Sequence, residues 1–234
     1  MKLVESIRAE LSKRVDEEYR KGCRSFFKEA VDPWGVRSAD LKVVEGLAYK
    51  KIKPLSQEER YAVFEELWRG SKLEEGAMVC HIGRKFKREF GKAEFQKFEH
   101  WIDEYVRNWS HCDGVASWLL AACIENDSAL KDKLVPWTRS NNRWKRRAAA
   151  VSFLQEAKRG RSIDYIFEVC ARLEEDLDVM VQKGVGWVLK ETYPKRPEET
   201  VEFVRLRKFP RLVVRYAAEK MSRTDRAELA LGKV

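Results

Sequence analysis

Apolar residues recur three and four apart along nearly the whole chain, and strict alternation of apolar and polar residues is hard to find. Spacing near 3.6 is that of an α-helix burying one face, whereas a half-buried strand needs a period of two. The pattern predicts an all-α protein, with helices over 2–19, 37–51, 56–69, 73–90, 94–107, 113–126, 128–138, 141–157, 161–174, 178–193, 198–207 and 210–221. Stop and start signals agree. Asp32-Pro33, Pro54, Pro194, Pro197 and Pro210 fall at the joints, and Ser56 with Glu59 forms a capping box. From residue 56 onward, helix pairs begin near 56, 94, 128, 161 and 197, at intervals of 38, 34, 33 and 36. That period is close to those of helical-repeat proteins. The expected architecture is a curved α-solenoid of about six stacked antiparallel helix pairs in a single domain over 1–234. A compact, irregular helical bundle is the alternative.

Several classes of function drop out. No apolar run approaches the ~20 residues that span a bilayer, and Met1–Arg20 lacks the apolar centre of a signal peptide. Cys23, Cys80, Cys112, Cys123 and Cys170 are odd in number, widely spaced and without a CxxC pair, which points to reduced thiols in a cytoplasmic protein. His81, His100 and His111 are the only histidines; Cys80-His81 and His111-Cys112 have no second cluster at zinc-ligand spacing, so no metal is expected. Nucleotide-binding and nucleophile-elbow motifs are absent, and no cofactor is called for.

The formal charge is +9, from 47 Lys and Arg against 38 Asp and Glu, which makes an anionic partner the first to test. The excess is concentrated. Residues 139–147 (RSNNRWKRR) and 205–215 (RLRKFPRLVVR) each hold five cations and no acid, and Arg84, Lys85, Lys87 and Arg88 form a third cluster. Such clusters are either solvated helix faces or a track for backbone phosphates. On 141–157, Trp144, Ala148, Val151 and Leu154 give the apolar stripe, with Arg143, Arg146 and Arg147 on a neighbouring face. On 178–193, Lys183, Trp187 and Lys190 share one face beside Val181, Val185 and Val188. Gly184 and Gly186 there would permit close approach of another backbone or a ligand.

Trp109 and Asp113 lie four apart, so on a helix they share a face. Arg147 follows Trp109 by 38 residues and Trp187 follows Arg147 by 40, each close to one repeat. Bland readings stay open at this point: Asp113 as a helix N-cap, Trp109 and Trp187 as core, Arg147 as a structural ion-pair partner.

The segments NWSHCDGVASW (108–118), SNNRWKRRAA (140–149) and VQKGVGWVLKE (181–191), in that order and spacing, resemble the DNA alkylation repair family of HEAT-like-repeat glycosylases (AlkC/AlkD-like). FKEAVDPWGVRSADLK (27–42) and ELWRG (66–70) resemble its N-terminal region. The resemblance implies excision of cationic N-alkylated purines such as 3-methyladenine and 7-methylguanine from double-stranded DNA, by a cytoplasmic, nucleoid-associated monomer that needs no metal, cofactor or membrane. It makes Asp113 the catalytic carboxylate, Trp109 and Trp187 the residues flanking the lesion, and Arg147 a backbone contact. Arg143, Arg146, Lys183 and Lys190 join Arg147 as candidates for neighbouring phosphates. His111-Cys112 stands as a variable insert between Trp109 and Asp113. A non-catalytic DNA-binding protein on the same scaffold and a peptide-binding helical repeat are the competing functions.

Overall fold

The structure, a computed structural model, describes residues 2–231. Among these there is no strand, only two isolated bridges, Val15 with Val36 and Asp32 with Lys72, so the chain is all-α. Its contacts divide it into two compact units. One takes the chain up to Lys87 together with Glu104–Gly114; the other takes Arg88–Asp103 and the chain from Val115 onward.

The first unit holds α1 (Lys2–Ser12), α2 (Glu17–Phe26), α3 (Ser38–Ile52), α4 (Gln57–Arg69) and α5 (Leu73–Gly83). The chain returns to it from α6 (Lys92–Glu104) to form the short α7 (Trp109–Gly114). Leu11, Ile52, Leu67, Met78 and Ile82 are fully buried in its core. Periodicity predicts one helix over 2–19, but α1 stops at Ser12 and a separate α2 begins at Glu17. The cause is non-local. Asp16 caps α2 by accepting from Tyr19 N at 2.9 Å, while its own N–H donates to the Gly35 carbonyl at 2.9 Å. Gly35 sits at φ +88°, where a Cβ would stand 2.5 Å from Arg20 Cβ, so only glycine fits.

Two adjacent buried carboxylates hold this unit's connector. Glu74 accepts from the N–H groups of Trp34, Gly35 and Val36 at 2.8, 2.8 and 3.0 Å. Glu75 takes the Arg8 guanidinium with both oxygens and the Trp34 indole N–H at 3.0 Å. A buried charge is tolerated only when paired and hydrogen-bonded, and both meet that condition.

The second unit contains α6, a π-helical segment Val115–Leu120, α8 (Ala121–Asn126), α9 (Lys131–Leu134) and α10 (Arg143–Val151). It continues through α11 (Leu154–Arg159), α12 (Ile163–Arg172), α13 (Val179–Thr192), α14 (Pro197–Arg205), α15 (Arg211–Ala217) and α16 (Arg223–Leu231). Trp101, Phe98, Phe153, Leu119 and Leu120 are its largest fully buried side chains. The single helix predicted over 141–157 breaks after Val151, where Ser152 turns its hydroxyl onto the Ala148 carbonyl at 2.7 Å. α16 lies beyond the last predicted helix. At the centre, α13 packs against α10, α11, α12, α14 and α15. Its glycines explain how. A Cβ on Gly186 would meet Tyr216 Cβ at 2.5 Å and the Val213 carbonyl at 2.9 Å, so the close approach is that of α15. Gly184 faces Arg147 and Val151 of α10.

Candidate active site

In the first unit, the sequence around Trp109 makes a short helix seated by buried polar groups. Asn108 is its cap: Asn108 Oδ1 accepts from His111 N at 2.9 Å and the Asn108 carbonyl from Cys112 N at 3.2 Å. The helix therefore begins at Trp109 rather than at 113, and Asp113 is not the N-cap. Asp113 is half-buried on the last turn of α7, one turn beyond Trp109. A π-helical segment follows directly, a geometry frequent at functional sites.

His111, between the two candidate residues, is the anchor. Its ring is buried, and its Nε2–H donates to the Leu73 carbonyl at 2.8 Å while Nδ1 accepts from Asn108 Nδ2 at 3.2 Å. These partners fit only the neutral Nε2–H tautomer. Burial pushes its pKa down to about 4. Trp68 packs edge-on against the ring at 5.1 Å, and a Cβ on Gly76 would stand 2.5 Å from Nε2. Cys112 is wholly buried beside it. The His111-Cys112 insert is thus the seat that fixes which way Trp109 and Asp113 face, a role visible only once Leu73, Gly76 and Trp68 are brought to it.

Trp109 is half-buried, with its indole stacked on Phe27 (centroids 5.1 Å apart, planes 18° apart) and edge-on to Phe26 at 6.0 Å. Phe26 is itself 71% exposed. Neither phenylalanine carries a role in the sequence reading. A FF pair at the end of a basic segment (RKGCRSFFK, 20–28) was the available signal.

In the second unit, α13 divides as its sequence predicts. Val181, Val185 and Val188 are fully buried, whereas Lys183, Trp187 and Lys190 are half-buried along another face. Lys190 pairs with Glu219 at 2.8 Å. Arg147 is only 5% exposed, packs over Gly184 and donates to the Met180 carbonyl. Arg143 pairs with Asp178 at 3.2 Å and Arg146 with Asp176 at 2.6 Å. Those two aspartates flank Leu177 at the start of α13, and Asp178 also caps it through Met180 N and Val181 N. Lys145 pairs with Glu99 and Asp103. Most of the basic run 139–147 therefore has internal anionic or carbonyl partners. Each unit brings its own candidates together: Trp109 with Asp113 on α7, and Arg147 with α13, the helix that carries Trp187.

Among the described residues, no group of three His, Cys, Asp or Glu side chains could hold a metal ion, and no helix is long and apolar enough to cross a membrane.

No curated protein matches the chain significantly. Among solved structures, one described as a predicted DNA alkylation repair enzyme from Enterococcus faecalis shares the fold. Its TM-score is 0.82 at 14% identity, over 90% of this chain and 98% of that one. The sequence profile of the DNA alkylation repair enzymes matches residues 7–221, a span that includes Trp109, Asp113, Arg147 and Trp187. This chain belongs to the DNA alkylation repair enzyme family.

Proposed function

We propose that this protein is a monofunctional DNA glycosylase that hydrolyses the N-glycosidic bond of cationic N-alkylated purines, 3-methyladenine and 7-methylguanine among them, in double-stranded DNA. The observation that carries this reading is the arrangement on α7. Trp109 and Asp113 stand one turn apart on a helix whose buried side is fixed by His111, with the capping role taken by Asn108. The family match over 7–221 includes Trp109, Asp113, Arg147 and Trp187, which supports the reading.

The chemistry asks little of the protein. Alkylation at N3 or N7 makes the base a cation, so it leaves neutral and needs no proton. The pair of carboxyl groups used for O-glycosides reduces to one carboxylate. Asp113 stabilises the positive charge that develops on the deoxyribose and orients the attacking water. The indole faces of Trp109 and Trp187 attract the cationic nucleotide, at ~0.5–2 kcal/mol for each cation–π contact. Arg147, which donates to the Met180 carbonyl, holds a backbone phosphate. Arg143, Arg146, Lys183 and Lys190 neutralise adjoining phosphates, and the arginines must share their charge with Asp178 and Asp176 to do so. The resident groups supply positioning and electrostatics without a cofactor.

Incubating methylated duplex DNA with the wild type and with Asp113→Asn, and identifying the released molecules by mass spectrometry, tests the assignment. Free methylpurine bases are expected from the wild type and not from the variant. Salt-sensitive duplex binding with no base release would favour a binding-only protein.

A further inference from the structure

Two short basic runs in the first unit take no part in the chemistry proposed for α7. YKKIK (49–53) closes α3, and RKFK (84–87) follows α5 in a 3-10 turn over Arg84–Glu89. Together they hold six cations and no acid. Each run contains one aromatic residue, and the fold brings the two rings together, Tyr49 and Phe86 lying 5.9 Å apart. A cation stands on each ring. Lys85 Nζ is 4.4 Å from the centroid of Tyr49, and the Arg60 guanidinium, from the start of α4, is 4.1 Å from that of Phe86. Three elements thus converge on one basic surface.

A cation at a helix C-terminus meets the carbonyl end of the helix, which accounts for the lysines closing α3 taken alone. It does not account for the convergence, because like charges gathered without acids repel one another and lower stability. Lys50, Lys53 and Lys85 are exposed and have no ion-pair partner among the described residues. Arg143 and Arg146 differ in this respect, their charge being met by Asp178 and Asp176. The rings fix the places of two cations, and those cations cover ring faces that a lipid surface or an apolar partner would need. Fixed cations without acids fit a row of phosphates.

The surface is separate from the candidate site. The His111 ring is held at the carbonyl of Leu73, the first residue of α5, whereas Arg84 follows Gly83, the last. The 11 residues of α5 put about 15 Å of helix between the two places.

We infer that Lys50, Lys53 and Lys85 form a second phosphate-binding surface, which holds the backbone of duplex DNA away from the lesion and keeps the protein on undamaged sequence. The inference rests on the reading that the protein acts on duplex DNA. Contacts of this kind carry no sequence information. Their signature is salt dependence, because each neutralised phosphate releases condensed counterions.

The test is binding of the full chain to an undamaged duplex over a salt series. Lys50→Ala, Lys53→Ala and Lys85→Ala combined should reduce the slope of log affinity against log salt by about two to three units, at about 0.9 for each phosphate contact. All three side chains are exposed, so the fold should stand, which circular dichroism checks. A control with the same change in net charge, Lys133→Ala, Lys158→Ala and Lys195→Ala combined, should keep the wild-type slope. An unchanged slope in the first variant, or an equal fall in both, overturns the proposal. Loss of binding to phosphatidylglycerol vesicles with duplex binding intact also overturns it, and would assign the surface to a membrane. Base release from methylated duplex by the wild type, measured in parallel, separates the two readings. Release with an unchanged slope removes the second surface and leaves the glycosylase; a reduced slope without release does the reverse.

Discussion

The two units place the charged groups around their candidate residues differently. In the first, carboxylates are buried and use their hydrogen bonds to fix backbone: Glu74 and Glu75 are 4% and 0% exposed and hold the 34–36 connector and α1. In the second, buried carboxylates occur too, Glu94 at 7% and Glu156 at 4% exposed, but the cations Arg143 and Arg146 pair with acids at the mouth of α13, where they meet Asp178 and Asp176. Rigid placement of a few groups suits a reacting centre, and a surface rich in exchangeable ion pairs suits a phosphate backbone. Under the proposed function, that difference suits chemistry in the unit with Trp109 and Asp113 and charge neutralisation by the unit with Arg147 and Lys183.

The largest structural effect should come from breaking the buried network. Glu75→Ala leaves the Trp34 indole without its acceptor and the Arg8 guanidinium with only Glu66, and should cost about 3 kcal/mol in chemical denaturation. The matching change in the second unit, Asp178→Ala, removes a helix cap and a half-exposed pair and should cost only about 1 kcal/mol. Equal costs would erase the contrast.

His111 gives the first unit a pH dependence. Its folded pKa lies near 4 against an ordinary value of 6.5, because burial disfavours the imidazolium. Between those values the unfolded chain binds a proton that the folded chain refuses. Stability is therefore fully present above pH 6.5 and falls as the pH drops toward 4, by roughly 3 kcal/mol at most. His111→Gln should be less stable at neutral pH and show a flatter profile over that interval, read from urea midpoints.

Glycine substitutions probe the packing of α13 more finely. Gly186→Ala should destabilise by about 1–3 kcal/mol, because α15 backbone lies 2.9 Å from the new Cβ. Gly46→Ala, on an exposed turn of α3 with nothing within 4 Å, should instead stabilise by up to ~1 kcal/mol. Thermal melts distinguish the two signs.

The smallest expected effect concerns phosphate contacts. Lys183 has no ion-pair partner among the described residues, so Lys183→Ala should lower the salt dependence of duplex binding by about one unit of slope. Arg143→Ala should lower it less, since its charge is already shared with Asp178.

Much of this was legible in the sequence. The Ser56–Glu59 capping box forms as written, with Ser56 N donating to Glu59 Oε2 at 2.8 Å and Glu59 N to Ser56 Oγ at 3.3 Å. Helices begin at Gln57, Lys92, Ser128, Ile163 and Pro197, close to the expected repeat. The division of α13 into a valine side and a Trp-Lys side was equally local. What escaped was set by distant partners. The break between α1 and α2 needs Gly35 and Val36, and the capping role of Asn108 is settled by a His111 ring held at Leu73. No spacing rule announces that a histidine between two candidate residues is their support, or that Phe26 and Phe27 will meet Trp109 from some 80 residues away.

The central claim, that the first unit holds the reacting carboxylate, is tested most directly by single-turnover release of 7-methylguanine from duplex DNA at saturating protein. Asp113→Asn should slow the release on the order of 10²–10³-fold, the range seen when one electrostatic stabiliser is removed, while duplex affinity stays close to that of the wild type. Release at the wild-type rate by Asp113→Asn would contradict the account.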